Sequence, residues 1–427
     1  MKILYVSQYF PPEMGAPAAR ADELSRHWAG AGHQVTVLTG FPNHPTGVVA
    51  LEYRDRFKRL VSHESKNRVH VVRTFLLPFP NRKTHERILN YSSFCVSAAI
   101  TGLFQSPFDV VIASSPQLLV GLCGWWVARW KGAFFIFEVR DLWPESLAAV
   151  GMGSKNSLLY RMLSKVAGFL YRRSDRIVVV TPAFKDYLVE HWGVPAEKLS
   201  VIENGVETEL FAPDPFGETA ENGLRVELDV KGKFVVSYIG TVGMAHGLET
   251  LLDAAGKLQD TNPNITFLIL GEGAEKRNIV DLAQNRGLKN VILVDQQPRE
   301  RIPVYINASD VCLVLLKKSE IFKTVIPTKM LEFMSCARPV ILGVDGQARA
   351  ILEQARAGIA IEPENADELA NAIRYLEANR ETARTWGLNG REHILRNCSR
   401  RKTAEEYIRL LERMLTRETR PAKNMAA

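Results

Sequence analysis

The chain has 427 residues, of which 46% are hydrophobic and 24% charged, with 54 Lys/Arg against 47 Asp/Glu. This length exceeds what one core usually serves and predicts two domains, and the composition is that of a soluble globular protein rather than a disordered one. Five cysteines (Cys95, Cys123, Cys312, Cys336, Cys398) lack CxxC or CxxH spacing, which argues against structural zinc and a disulfide framework and for a reducing cytoplasm.

The apolar run at residues 2–6 reads as a buried strand, and it is too short for a signal peptide. A Pro/Gly-rich loop follows at 8–17, then a helix over 18–31 and a strand at 35–38. Gly15 lies in that first loop, where a glycine is either a turn residue or lets the backbone approach a ligand closely. No G-x-G-x-x-G follows the first strand, which disfavours a dinucleotide fold of the usual kind. Residues 40–68 read as irregular, and 69–75 as a strand.

Residues 52–87 hold ten Lys/Arg against four Asp/Glu. A local basic face suits an anionic surface, and the absence of interleaved aromatics favours lipid headgroups over nucleic acid. Residues 88–108 then carry no charge. The stretch 90–104 is Ala-, Ser- and Gly-rich and too short to span a membrane. It reads equally as a fully buried helix or as one lying in the membrane interface.

A strand at 109–113 and a Trp-bearing helix lead to a strand at 133–137. It ends in Glu138-Val-Arg-Asp-Leu-Trp-Pro-Glu145. Ligands of open α/β sheets bind at strand carboxyl ends. Asp141 is either a cap of the next helix or a catalytic or substrate-orienting carboxylate, and Arg140 suits an anionic group. The grouping of Glu138, Arg140, Asp141 and Glu145 favours the catalytic reading. A basic helix at 154–174, a strand at 176–180 and a helix at 182–192 follow. The polar, Gly/Pro-rich stretch 212–232 is the best domain boundary, giving domains 1–211 and 212–399, with a final helix about 400–418 that packs back on the first.

A second strand–helix series begins at 234–239. Gly240-Thr241-Val-Gly243-Met-Ala-His246-Gly247 forms a loop able to cradle phosphate at a helix start. A strand at 265–270 ends in Gly271-Glu-Gly273, and Lys276 breaks the dinucleotide fingerprint there. Further strands are expected at 291–294, 310–315 and 339–342. In Pro327-Thr328-Lys329-Met-Leu-Glu332, the proline starts a helix whose N-terminus suits a phosphate. Lys329 suits phosphate and Glu332, one turn on, suits the two hydroxyls of a ribose. The alternative is a surface Lys–Glu pair on an amphipathic helix.

Two such series facing one cleft predict an α/β protein of two doubly wound Rossmann-like domains. The chain resembles the GT-B family-4 glycosyltransferases over nearly its whole length. The resemblance lies in residues 2–6 with the Gly15 loop, Asn204-Gly205-Val206 with Phe211, Gly271-Glu-Gly273, Ala308-Ser-Asp310 and residues 327–332. Tyr9-Phe-Pro-Pro-Glu13, Thr39-Gly-Phe-Pro-Asn-His44 and Arg140-Asp-Leu-Trp-Pro-Glu-Ser146 resemble the WbuB-like branch, which serves surface polysaccharide and O-antigen assembly.

The resemblance implies a retaining transferase without metal or cofactor. It would move a sugar, such as N-acetylfucosamine, from a UDP-sugar to a polyprenyl-diphosphate-linked saccharide. The first domain would bind acceptor and the second the nucleotide sugar. The enzyme would be cytoplasmic, attached peripherally to the inner face of the membrane through its anionic surface, with no nucleic acid partner. It also implies Glu332 on the ribose and the 240–247 loop and Lys329 on phosphate. Thr324 replaces the first of the family's two glutamates, and His246 stands near the place of its loop lysine, so phosphate binding shifts to Lys329 and Lys323. Arg140 and Asp141 stand near the place of its cleft histidine. A sugar-nucleotide epimerase, an NAD-dependent oxidoreductase and a non-catalytic membrane-bound binding protein are the alternatives.

Overall fold

The structure is a computed structural model that describes residues 1–44, 46–80, 84–149, 156–214 and 218–417. Strands β1 (Lys2–Val6), β2 (Gln34–Gly40), β3 (Val61–Lys66), β4 (Val69–Thr74), β5 (Val110–Ser114), β6 (Phe134–Val139), β7 (Arg176–Val179) and β8 (Leu199–Val201) form one sheet. Its order is β3-β4-β2-β1-β5-β6-β7-β8, parallel except for β3 against β4. Strands β9 (Phe234–Ile239), β10 (Ile265–Leu270), β11 (Val291–Val294), β12 (Val311–Leu315), β13 (Val340–Gly343) and β14 (Gly358–Ala360) form a second, all-parallel sheet. Its order is β11-β10-β9-β12-β13-β14.

In both sheets the first strand is central and the chain winds outward to one side, then the other. Helices therefore cover both faces, and the inner strands carry continuous apolar runs. Every residue of β5, β6, β9 and β10 is buried. Each sheet has a core on either face: Leu4, Val6 and Phe137 on one side of the first, Tyr5, Trp28 and Ile136 on the other.

The expected irregular stretch 40–68 contains β3 and a short helix, Arg54–Phe57. β3 is an edge strand with one solvated face, so its sequence, Val-Ser-His-Glu-Ser-Lys, has no apolar run to announce it. Most of the uncharged segment lies in helix Thr84–Leu103, whose first turn also carries Glu86 and Arg87. It is not fully buried: Asn90, Phe94 and Ala98 face inward, while Val96 and Ile100 lie exposed. Helix Leu158–Arg173 begins at Ser157, whose side chain accepts from the Tyr160 N–H.

The last helix, Arg400–Arg417, returns to the first sheet and packs on helix Ala16–Gly30. Trp28 meets Tyr407 edge-on at 5.1 Å and donates from Nε1 to the Ala404 carbonyl at 3.2 Å.

Candidate functional site

Each sheet reverses its winding beside its central strand, between β1 and β5 and between β9 and β12. Such switch points open a crevice beyond the strand carboxyl ends. The two crevices face each other across a cleft of about 1120 Å³. Of the sequence-derived site residues, Gly15, Arg140, Asp141, Gly240, Thr241, Gly243, His246, Gly271, Gly273, Thr328, Lys329 and Glu332 line it. Glu138 and Lys323 do not.

On the second domain, β9 runs into Gly240 at φ +144 and β10 into Gly271 at φ +148. A Cβ on Gly271 would lie 1.9 Å from the Gly240 carbonyl oxygen, so only glycine lets the two loops cross. Helix Thr328–Ser335 points its N-terminus into the same space, with Pro327 as its cap. Lys329 reaches back across the gap above Gly240. Its Nζ donates to Tyr238 Oη at 2.8 Å and lies 3.9 Å from that ring's centre. Tyr238 in turn donates to the Thr241 carbonyl at 2.6 Å. Burial pushes the Lys329 ammonium down to about 7, although Glu332 opposes the shift. Tyr238 lies inside β9 and sequence reasoning missed it; only its position two residues before Gly240 hints at the role.

His246 packs edge-on to Tyr238 at 5.9 Å, with Nδ1 3.3 Å from the Leu315 carbonyl. Burial, and next the nearby Lys329, push it down to about 3, so it is neutral at physiological pH. It supplies no charge for a phosphate. Lys323 sits on the turn Glu320–Thr324 and pairs with Glu320 at 2.6 Å. Of the two lysines expected on phosphate, Lys329 lines the cleft and Lys323 does not.

Glu332 lines the cleft one turn beyond Lys329. Its Oε1 lies 3.1 Å from Nη1 of Arg299, a residue not singled out from sequence. Among the described residues, Oε2 has no hydrogen-bond partner. Burial raises the Glu332 carboxyl, and Arg299 opposes the rise.

The first domain contributes Gly15, which caps helix Ala16–Gly30 at φ +126, and the loop after β6. The placement of Glu138 corrects the catalytic reading. Its side chain is fully buried on β6, with Oε1 2.7 Å from Arg20 Nη2 and Oε2 accepting from Ser114 (2.6 Å) and Tyr5 (2.9 Å). Burial alone would raise this carboxyl, but Arg20 foremost holds it at about 2. It anchors the sheet and never meets the cleft. Arg140 and Asp141 lie just past the strand and do. Arg140 donates its backbone N–H to Ser115 Oγ at 2.8 Å, and among the described residues its buried Nε has no hydrogen-bond partner. Burial pushes Asp141 up to about 6 against the pull of Arg140. Among the described residues nothing hydrogen-bonds its carboxylate, so it does not cap the following helix.

His44 and Tyr9, whose rings meet edge-on at 5.5 Å, also line this wall. Glu13 holds them in place, its Oε1 accepting the backbone N–H groups of Asn43 and His44 at 3.0 Å each. Among the described residues no group of three or more His, Cys, Asp or Glu is placed to hold a metal ion.

Two doubly wound domains whose switch points share one cleft define a two-domain α/β architecture with a single interdomain site. Residues 18–210 match the family described as Glycosyltransferase Family 4, and residues 222–393 that described as Glycosyl transferases group 1. The chain belongs to the family-4 glycosyltransferases of GT-B fold. It is similar to WcaI of Escherichia coli K12, provisionally named a colanic acid biosynthesis glycosyl transferase, with 26% identity over 88% of this chain and 91% of that one. It is also similar to WbjE of Pseudomonas aeruginosa, provisionally named a glycosyltransferase, at 26% identity over 66% of this chain and 69% of that one. Among solved structures, sucrose-phosphate synthase of Thermosynechococcus elongatus superposes with a TM-score of 0.74 at 22% identity, covering 98% of this chain and 100% of that one. HepE of Anabaena, in complex with UDP and glucose, gives 0.70 at 18% identity over 96% and 99%.

Proposed function

We propose that the enzyme transfers a sugar from a UDP-linked donor, with retention, to a polyprenyl-diphosphate-linked saccharide in cell-surface polysaccharide synthesis. One observation carries this reading. Lys329, the N-terminus of its helix and the Gly240 loop converge where a diphosphate fits, and the open oxygen of Glu332 lies one turn away where a ribose fits. Cation and helix dipole stabilise the charge that gathers on the leaving UDP. Asp141 faces this half-site and stabilises the positive, oxocarbenium-like sugar. The HepE complex with UDP and glucose supports the donor class, and the colanic acid role in the name of WcaI supports the setting. A panel of UDP-sugars, UDP-N-acetylfucosamine included, incubated with and without a polyprenyl-diphosphate saccharide tests it. Acceptor-dependent release of UDP with an elongated lipid is expected. Epimerised donor without acceptor, or binding without turnover, contradicts it.

The acceptor's lipid requires approach to a bilayer, and a surface of the first domain suits that. Helices Thr84–Leu103, Val120–Lys131 and Leu158–Arg173 lie side by side. They and the turn after the first expose Val96 (59%), Ile100 (55%), Phe104 (82%) and Trp130 (63%). Arg161, Lys165, Arg172 and Arg173 stand exposed on the third helix. An apolar patch beside basic residues fits peripheral docking on an anionic inner membrane face. No described helix is long and apolar enough to cross a membrane. The basic residues expected for this role include Arg82 and Lys83, which lie outside the described residues.

A further inference from the structure

Arg299 stands between carboxylates from the two domains. Its Nη1 is 3.1 Å from Glu332 Oε1, and its Nη2 donates to Glu23 Oε1 at 2.6 Å. Glu23 lies on helix Ala16–Gly30, and its other oxygen accepts from Arg400 Nε at 2.7 Å, at the start of the last helix. Arg299 also faces the Phe211 ring at 4.9 Å. A line of alternating charge thus runs from the nucleotide half-site across the domain interface: Glu332, Arg299, Glu23, Arg400. Glu23 and Arg400 are almost wholly buried, at 3% and 2% side-chain exposure. Buried partners of this kind depend on one another, because losing one leaves an uncompensated charge, whereas exposed pairs contribute little.

The geometry bears on how Glu332 meets a ligand. A guanidinium binds a lone carboxylate with both of its prongs. Here Glu23 occupies one prong, the closest approach of Arg299 to Glu332 is Nη1 to Oε1 at 3.1 Å, and among the described residues no Arg299 hydrogen bond reaches Oε2. We propose that Glu23, acting through Arg299, is a positioning residue for the nucleotide's ribose, although it belongs to the opposite domain. It keeps Arg299 from closing over both Glu332 oxygens and leaves Oε2 to the ribose hydroxyls. Nucleotide affinity is thereby tied to the docking of the first domain and last helix against the second domain. This rests on the reading of the cleft as a UDP site.

Calorimetry with UDP and with 2′,3′-dideoxy-UDP tests it on the full chain, for the unsubstituted protein, Glu23→Gln, Glu23→Asp, Glu332→Gln and the pair Glu23→Gln/Glu332→Gln. Glu23→Gln should weaken UDP about tenfold, the scale of one hydrogen bond to a charged group, and leave dideoxy-UDP unchanged. Added to Glu332→Gln it should cost nothing more. Unaltered UDP binding by Glu23→Gln, or equal weakening of both ligands, overturns the inference, since general loosening of the interface would not distinguish them. Should Glu23→Gln fail to fold, Glu23→Asp, whose shorter side chain releases Arg299, must show the same selectivity for the hydroxylated ligand, and equal losses there overturn it. If the unsubstituted protein does not bind UDP, the nucleotide reading itself falls and takes this inference with it.

Discussion

Lys329 Nζ rests 3.9 Å from the centre of the Tyr238 ring and donates to its hydroxyl at 2.8 Å. The lysine is thus held over the Gly240 turn by an aromatic face and a neutral acceptor, with the Glu332 carboxylate one turn away favouring its charged form. That arrangement desolvates the ammonium and pushes it down to about 7, so an incoming anion restores its charge.

A proton linkage follows for UDP. Free Lys329 titrates at about 7, and a bound diphosphate favours its charged form and raises that value. Binding above pH 7 therefore takes up a proton, and affinity falls as pH rises from 7 towards 9. Calorimetry at pH 8 in buffers of different ionisation enthalpy should show proton uptake, and Lys329→Arg should abolish it. Buffer-independent heats in the unsubstituted protein would place the lysine away from the diphosphate.

Asp141 should serve the chemistry rather than donor binding. Asp141→Asn should keep UDP affinity and lose turnover on the order of 10²-fold, the usual effect of removing a group that faces developing charge. Because the carboxyl titrates at about 6, turnover should fall as pH drops through that value, and this limb should vanish in the variant. Near-normal turnover by Asp141→Asn would leave it a bystander in the cleft wall.

Glu138 should matter to stability. Removing one partner of a buried ion pair costs about 3–5 kcal/mol, so Glu138→Gln should show that loss in denaturant unfolding. Its folded value, about 2, is below the ordinary carboxylate range. Its contribution is therefore complete above about pH 4.3 and is lost as pH falls towards 2. A Glu138→Gln protein as stable as the parent at pH 7, but inactive, would restore the catalytic reading.

Membrane docking should be reversible and salt-sensitive. Co-sedimentation with vesicles should rise with anionic lipid content and fall at high salt. Trp130→Ser with Ile100→Ser should weaken binding to anionic vesicles while sparing UDP affinity. Equal binding to neutral and anionic vesicles would remove the electrostatic part of the account.

Local signals carried much of this structure. β1 matches its expected bounds because an apolar run ends in a Pro/Gly loop, and the ring of Pro327 sets the start of helix Thr328–Ser335 within one residue. What stayed hidden depends on distant partners. Glu138 looked like its neighbours Arg140 and Asp141, but alternation along β6 turns it inward to Arg20, 118 residues away. Arg299 has no motif of its own, and its meaning comes from Glu23 and Glu332. Lys323 was the readable exception, since Glu320 three residues earlier offers it a local partner.

On the proposed function, this half of the cleft binds a diphosphate through Lys329 and a ribose through Glu332. Calorimetry with UDP and uridine on the unsubstituted protein, Lys329→Ala and Glu332→Ala separates the two roles. Glu332→Ala should weaken both ligands by about 1.5–3 kcal/mol, the worth of hydrogen bonds to a charged group. Lys329→Ala should weaken UDP far more than uridine. Unchanged UDP affinity in Glu332→Ala, or equal losses of UDP and uridine in Lys329→Ala, would contradict the account.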